Sequence, residues 1–424
     1  MVPDSLSNVN VFKFGGASVK DAAGIRNLAD IVRTYGDNNV VVVVSAMGKT
    51  TNALEEVVQA YADGHLAEAL HRWEAIKAQH LAVERELTGT ETAAQTTYEQ
   101  LEAFLKTPYN GSFDESYDQI VSAGELMATQ LVAAYLEQTG LPVRWADARR
   151  LVRTDATHRE GHVDWTVTER QIRAFVGETA GVTITQGFLG QTPAGQTTTL
   201  GRDGSDYTAA IVAFCLDARS VTIWKDVPGV LNADPKYFDD TVLLEKLTYQ
   251  DAIELAYYGA TVIHPKTIKP LQNKRIPLFV RSFVEPEKPG TMVGAEEQHL
   301  PTASFIFKMN QTLISLHPLD FSFIAEDNLS RIFSRFAEAG VKINLMQNTA
   351  ISFSVSVDTN PARLPRLLNW LKEDFRVLYN EGLELITIRY YDQQTIDRVL
   401  VNKTLLLEQK SRYTVQLVVR DRGE

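Results

Sequence analysis

The sequence predicts an α/β protein, a sandwich on a mostly parallel central sheet, followed by smaller ferredoxin-like α+β units. Three patterns carry this expectation. The chain opens with an apolar run, a Gly-Gly turn, an amphipathic stretch and a second apolar run, the β-turn-α-β order that lays helices over a parallel sheet. Short β-rich runs then alternate with helical stretches as far as residue 296. Beyond that point the elements shorten and spell βαββαβ, the order of a ferredoxin-like module.

Taken in order, residues 9–14 read as a buried strand, Gly15-Gly16 as a turn and Ser18–Tyr35 as a helix with Ser18 as its N-cap. Val40–Ser45 is the next strand. Residues 51–139 form a long helical region rich in Ala, Leu, Glu and Gln, broken at Asp63-Gly64, Thr88-Gly89 and Pro108–Gly111. Val143–Trp145, Val182–Gln186, Thr197–Leu200 and Val221–Trp224 are short β-rich runs, Phe279 and Val280 continue the sheet, and Tyr207–Leu216 and Thr248–Tyr258 have helical spacing. The segment EEQHLP, residues 296–301, marks a boundary between a domain over 8–296 and a C-terminal region over 302–424.

In that region the expected strands are Thr312–Leu316, Lys342–Met346, Ile351–Val357 and Leu385–Arg389, and the helices Asn328–Ala339 and Pro361–Glu373. A first unit covers 311–384. A second, shortened unit combines 303–308 with 385–421, using a helix at Asp392–Val401 and strands at Thr404–Leu407 and Thr414–Val419.

Composition bounds the function. The 424 residues are 44% hydrophobic and carry a formal charge of −11, so the core is ample and a phosphate-coated polymer is a poor partner, because nucleic-acid binding rests on Lys and Arg. The single cysteine, Cys215, lies in the apolar run IVAFCL. It excludes a disulfide framework and fits a reducing, cytoplasmic setting. The N-terminus lacks a basic segment followed by an apolar one, and apolar runs such as Val40–Val44 and IVAFCL are short, so neither export nor membrane insertion is expected.

Two nucleotide-binding imitations fail on inspection. Gly48-Lys49-Thr50 looks like the tail of a Walker A loop, but Val43 stands where the motif needs glycine. His158-Arg159-Glu160 imitates a protein-kinase catalytic loop in a chain that has neither the Gly-rich loop nor D-F-G. His264-Pro265 is a helix start, with no second His or Cys at metal-ligand spacing.

Five blocks at strand ends remain. Lys13-Phe14-Gly15-Gly16 sets a lysine beside bare backbone N–H groups and a helix start, a local anion site, although an isolated lysine before such a turn is commonly just solvated. In TTTLGRDGSDYTAA, residues 197–210, Gly201 and Gly204 free the turn and Ser205 can cap the next helix. Arg202 can grip a carboxylate, and Asp206 can orient Lys13 or a metal-bound phosphate. SAMGKTTN, residues 45–52, offers small hydroxyl side chains where open α/β sheets bind ligands, or simply caps a helix. Ser122-Ala123-Gly124-Glu125 places a glutamate near a helix start, able to hold an ammonium group. WKDVPGVLNADPK, residues 224–236, can wrap a base or serve as a surface turn.

In this order and spacing the five blocks, with YYGATVIHP after them, closely resemble the aspartate kinases of the amino-acid kinase family over essentially the whole chain. The C-terminal units are similar to that family's paired ACT domains. The resemblance implies transfer of the γ-phosphoryl of MgATP to the side-chain carboxylate of L-aspartate, without a covalent enzyme intermediate and on the way to lysine, threonine and methionine. It implies that Lys13 neutralises the moving phosphoryl group, Gly15 and Gly16 bond its oxygens, and Asp206 organises Lys13. Arg202 would clamp a substrate carboxylate, Glu125 the α-ammonium, and Ser45, Thr51 and Ser205 the remaining polar atoms. Asp226 and Lys236 would serve ATP, with Lys225, itself a departure from the family, expected to compensate there for a lysine missing at position 261, and with Mg²⁺ carried by the nucleotide and no dedicated metal site on the protein. An amino-acid effector, lysine or threonine, would bind the ACT region near Asn344, Asn348 and Thr349, and the chain would form a homodimer through those units.

Some positions depart from the pattern. Asp203 adds a negative charge where glycine is common, Lys225 replaces threonine, Leu231 a tyrosine, Lys236 an arginine and Thr261 a lysine; Asn344 stands where some relatives carry an aspartate. Two other readings stay open on the residues alone, a catalytically silent amino-acid sensor and a kinase for a different small carboxylate.

Overall fold

The computed structural model describes residues 9–36, 39–109, 111–177, 181–260, 263–295, 302–320 and 322–423. The expected boundary at 296–301 and the departure at Thr261 lie outside them. By internal packing the chain divides into two compact units, Met1–Val230 with Glu245–Ile253 and Val262–Glu297, and Leu231–Leu244 with Glu254–Thr261 and Gln298–Glu424. Two segments that the sequence reading left in the first domain therefore go with the second unit. Ala233 and Phe238 join an apolar core there with Phe305, Ile388 and Ile396.

β1 (Asn10–Phe14) leads through a 3-10 turn, Gly16–Val19, into α1 (Ala22–Tyr35). Here the expected cap is corrected. Ser18 sits in the 3-10 turn, its N–H donating to the Gly15 carbonyl, and the turn delays the helix so that Asp21 caps it instead, accepting from the Gly24 N–H at 2.8 Å. β2 (Asn39–Val44) is followed by α2 (Thr50–Ala62), α3 (Leu66–Thr88), α4 (Gln95–Leu105) and α5 (Phe113–Gln138), with each expected break falling between helices.

Next come β3 (Val143–Ala146), α6 (Ala148–Leu151), α7 (Trp165–Val176) and β4 (Gly181–Gln186). The hairpin β5 (Leu189–Gln191) and β6 (Thr197–Thr199) precedes α8 (Gly204–Leu216) and β7 (Ser220–Lys225). The chain continues through β8 (Lys246–Thr248), α9 (Tyr249–Tyr258), α10 (Pro265–Lys274), β9 (Leu278–Ser282) and β10 (Thr291–Gly294). His264 caps α10 by accepting from the Lys266 N–H, the helix-start role read from His-Pro.

Eight strands form one sheet in the order β3-β4-β2-β1-β7-β9-β10-β8, parallel except where β10 meets β9. Phe12, Phe14, Val40, Val42 and Val44 share a core with Ile25 and Leu28 of α1 and Leu131 and Leu136 of α5. The alternate residues Val11, Val41 and Val43 are buried too, and α8 packs along β1, β2 and β7. Burial on both faces is why the valine run does not alternate with polar residues. From β1 the chain order runs outward through β2 on one side and β7 on the other, so the carboxyl end of β1 lies at a switch point, where such sheets open a ligand crevice.

In the second unit β11 (Ser304–Pro318), α11 (Glu326–Ala339), β12 (Ile343–Asn348), β13 (Phe353–Asp358), α12 (Leu364–Leu371), β14 (Phe375–Arg389), α13 (Gln393–Val399), β15 (Lys403–Lys410) and β16 (Thr414–Asp421) follow in order. The strands make an antiparallel sheet, β12-β13-β11-β14-β16-β15. The strands expected at 303–308 and 312–316 are one 15-residue strand, and Leu385–Arg389 ends another. They read as separate because the pairing of β11 with β14 shifts register after Lys308, where Asn310 takes a φ of 54°, a bulge that bends the strand without ending it. Ile314, Phe353 and Leu367 pack with α11 and α12 around one half, while Phe305, Ile386 and Val415 pack with α13 around the other. Among the described residues no helix is long and apolar enough to cross a membrane.

The corrected cap has a measurable consequence. Asp21→Ala should cost about 1 kcal/mol, the usual worth of an N-cap, whereas Ser18→Ala should stay within about 0.5 kcal/mol. Denaturant midpoints of the two variants compared with the parent check this.

Candidate active site

At the carboxyl end of β1 the Lys13 side chain, only 10% exposed, reaches the Asp206 carboxylate at 2.7 Å. Asp206 lies in the first turn of α8 and its side chain is 4% exposed. Lys225, at the end of the neighbouring β7, approaches the other carboxylate oxygen at 3.7 Å. Burial alone would raise the pKa of Asp206, but the Lys13 and Lys225 ammonium groups outweigh it and hold the carboxyl below its ordinary range. Gly16 must be glycine for space: a Cβ there would lie 2.7 Å from the carbonyl oxygens of both Ala46 and Gly48. This close approach ties the Gly-Gly turn to the loop after β2.

Glu125 obeys the opposite logic. It lies in the middle of α5, not near its start as the sequence suggested, because the helix begins at Phe113 behind a Ser112 cap. Gly124 lets α5 press against the loop after β2 and α2, since a Cβ there would sit 3.1 Å from Ala46 and Leu54. One Glu125 oxygen accepts from the Ala46 N–H at 3.4 Å, and the other is buried without a hydrogen-bond partner. Burial pushes the Glu125 carboxyl up to about 8.

Both carboxylates border a cleft of about 760 Å³ lined also by Lys13, Ser45, Thr51, Arg202, Asp203 and Ser205. Ser205 does not cap α8: the cap position is Asp203, in the left-handed region at φ 53° and without a side-chain cap bond, so Ser205 falls inside the first turn. The Arg202 side chain is 86% exposed, with only a loose approach to Asp203 at 3.9 Å. The Asp203 side chain also stays largely in solvent at the rim.

A further wall of the cleft comes from Glu55, Asp114, Tyr117 and the segment Thr157–Glu160. Its anchor is the buried Asp118. That carboxylate accepts from the Thr199 hydroxyl at 2.6 Å, pairs with His158 Nδ1 at 2.8 Å, and takes the Arg159 N–H on both oxygens. Burial raises the pKa of Asp118, and these donors work against the shift.

Comparison with known proteins now adds to the geometry. Residues 8–282 match the profile of the Amino acid kinase family. The chain belongs to that family. It is 32% identical to lysine-sensitive aspartokinase 3 of Escherichia coli (strain K12) over 90% of this chain and 87% of that one. It is also 32% identical to the chloroplastic aspartokinase 1 of Arabidopsis thaliana, over 84% of this chain and 64% of that longer protein. Among solved structures it is similar to E. coli aspartokinase III in complex with aspartate and ADP, with a TM-score of 0.81 and 29% identity over 97% of this chain and 96% of that one. The same enzyme in complex with lysine and aspartate matches at the same TM-score, 0.81, over 97% and 95% of the two chains.

Within this amino acid kinase the fold therefore gathers Lys13, Ser45, Thr51, Glu125, Arg202, Ser205 and Asp206 around one cleft and sets Lys225 against Asp206. Gly15 stands beside it, its Cβ position 3.4 Å from Lys13 Nζ. Asp226 and Lys236 are exposed and do not line it; Lys236 belongs to the second compact unit. Of the residues named for an effector, Asn344 is engaged, donating to Gln311 and Asp358 and accepting from Lys308 Nζ at 2.8 Å. Asn348 and Thr349 are exposed.

Sequence reasoning missed the wall built by Asp114, Tyr117, Asp118 and His158-Arg159. A signal was present. Asp114, Tyr117, Asp118 and Glu125 recur at helical spacing along one face of α5.

The two buried carboxyls give stability opposite pH signs. Glu125, raised to about 8, holds a proton in the folded state, so its contribution is complete below the ordinary glutamate range and is lost as pH rises through about 8. Relative to the parent, Glu125→Gln should gain stability between about pH 5 and pH 9, by a few kcal/mol at most. Melting curves across that range test it; parallel curves for the two proteins would refute the assignment.

Proposed function

We propose that this amino acid kinase is an aspartate kinase, transferring the γ-phosphoryl of MgATP to the side-chain carboxylate of L-aspartate to give 4-phospho-L-aspartate. The observation that carries the reading is the pairing, in one cleft, of a lysine-flanked Asp206 with a buried, cation-free Glu125. Near full-length similarity to an enzyme solved with aspartate and ADP supports it. A sensor without activity would have no use for the first feature, and a kinase for a simple carboxylate none for the second.

The chemistry follows from charge. An oxygen of the substrate β-carboxylate attacks Pγ while the bond from Pγ to the β,γ-bridging oxygen breaks and ADP departs. The nucleophile is already ionised, so no general base is needed and the protein contributes positioning and neutralisation. Lys13 neutralises the moving phosphoryl group, with Gly15 and Gly16 offering backbone N–H groups. Asp206 fixes Lys13, and Lys225 adds a second cation on the nucleotide side. Glu125 receives the α-ammonium group, giving up its proton as that cation arrives. Ser45, Thr51 and Ser205 hold the remaining polar atoms, and Arg202 swings in on a carboxylate. Asp226 serves the nucleotide. Mg²⁺ travels with the phosphates, in keeping with its preference for phosphate and water ligands; among the described residues no group of three or more His, Cys, Asp or Glu is arranged to hold a metal.

The C-terminal units are read as ACT domains that pair two copies of the chain and respond to an amino acid in the cytoplasm, lysine or threonine, near Asn348 and Thr349. Similarity to an aspartokinase solved with lysine supports an effector role.

Hydroxylamine trapping of the acyl phosphate tests the reading. Product should require both MgATP and L-aspartate, should not form with L-glutamate, and should fall by about 10² or more in Lys13→Ala. Added lysine or threonine identifies the effector. Absence of hydroxamate from folded protein would overturn the proposal. Lys225→Ala should raise the KM for ATP several-fold; an unchanged KM would remove Lys225 from the nucleotide side.

A further inference from the structure

The segment His158-Arg159-Glu160, which imitates a protein-kinase loop in sequence, lines the cleft although nothing above gives it a chemical task. Its backbone is unusual. Arg159 adopts φ 66°, a left-handed conformation that costs a non-glycine residue energy and persists only when its surroundings enforce it. The enforcement is visible: the Arg159 N–H is held by both oxygens of the buried Asp118, at 3.0 and 3.2 Å, and the preceding His158 ring is held by the same carboxylate.

The side chain is positioned as well. The Arg159 guanidinium lies over the Tyr117 ring, 4.3 Å from its centroid, and the Tyr117 hydroxyl is in turn fixed by donating to Glu55 at 2.8 Å. Among the described residues its one ion pair, with Asp114 at 3.4 Å, joins side chains 46% and 59% exposed. A pair that open to water is worth little and is easily exchanged for a better anion. Arg159 also stands next to the turn that carries Arg202, because a Cβ on Gly201 would lie 3.3 Å from the Arg159 carbonyl oxygen. Arg202 itself is loose in solvent.

We propose that Arg159 is a specificity-determining residue that grips the α-carboxylate of the amino-acid substrate, as the pre-positioned arm of a clamp whose mobile arm is Arg202. A guanidinium suits this task because its planar fork matches a carboxylate. The carboxylate concerned is the α one, since the β-carboxylate must reach the phosphoryl group beside Lys13. The surrounding acids Glu55, Asp114, Glu160 and Asp203 leave this wall without excess positive charge, so a lone anion gains little there, whereas a zwitterion also anchored by Glu125 is accepted. Asp118 and His158 act as positioning residues for Arg159.

The inference rests on the cleft being the aspartate site, and the experiment separates the two. Full-length parent, Arg159→Ala, Arg159→Lys and Glu125→Gln proteins are assayed by hydroxamate formation with L-aspartate and with its α-amide, which keeps the β-carboxylate and the ammonium group. Arg159→Ala should raise the KM for L-aspartate about tenfold or more with kcat within about twofold, as expected for a charge-assisted contact made equally in ground and transition states. The preference for L-aspartate over the α-amide should collapse by a similar factor, with partial recovery in Arg159→Lys. An unchanged KM in Arg159→Ala, or an equal loss on both substrates, overturns the proposal. If Glu125→Gln raises the aspartate KM while Arg159→Ala does not, only the Arg159 role fails; if neither variant changes it, the assignment of the cleft fails with it.

Discussion

The site depends on one buried carboxylate. Asp206 is removed from water, a cost that is tolerable only because two lysine ammonium groups stand against its two oxygens. That arrangement dictates much of the surrounding fold. Lys13 and Lys225 can meet one acid only if β1 and β7 are parallel neighbours in register, Phe14 beside Trp224, and if α8 begins just beyond their ends. The left-handed residue Asp203 makes that sharp entry into α8.

Glu125 complements this constraint, since among the described residues no cation pairs with it. Among the described residues this buried carboxyl has one weak donor and one unpartnered oxygen, which is costly as an anion, a cost that the ammonium group of the proposed substrate would relieve. Lys13 and Glu125 thus divide the cleft into an end that attracts negative charge and an end that attracts positive charge. The zwitterionic substrate proposed here would fit between them in one orientation. The close approach at Gly124 keeps the two ends rigidly spaced, because any larger residue would push α5 away from the loop after β2.

The second compact unit is unified by length. β11 and β14 each run for 15 residues, so two small cores, one under α11 and α12 and the other under α13, share the same pair of strands. A bulge near Asn310 adjusts the twist between them. The two halves are joined through continuous backbone, in keeping with the regulatory role proposed for this unit.

The sequence alone determined six of the eight strands of the parallel sheet, many of the helices and the strand-end turns, because periodicity, Gly-Gly and Gly-Arg turns and helix breaks are local signals; it did not reveal β8, β10, α6 or α7. It also picked out Lys13, Glu125, Arg202 and Asp206, whose neighbours in the chain form recognisable blocks. Only the tertiary structure decided which of these residues meet. It moved the α1 cap from Ser18 to Asp21 and placed Glu125 in mid-helix. It merged two expected strand segments into one 15-residue strand, lengthened the strand expected at Leu385–Arg389 to 15 residues, and moved residues 231–244 into the second unit. It also turned His158-Arg159, which fails as a kinase loop on sequence grounds, into a wall of the cleft. The physical reason is common to these cases: a cap, a bulge or an ion pair with Asp118 depends on distances between residues far apart in the chain, and local propensity carries no information about those distances.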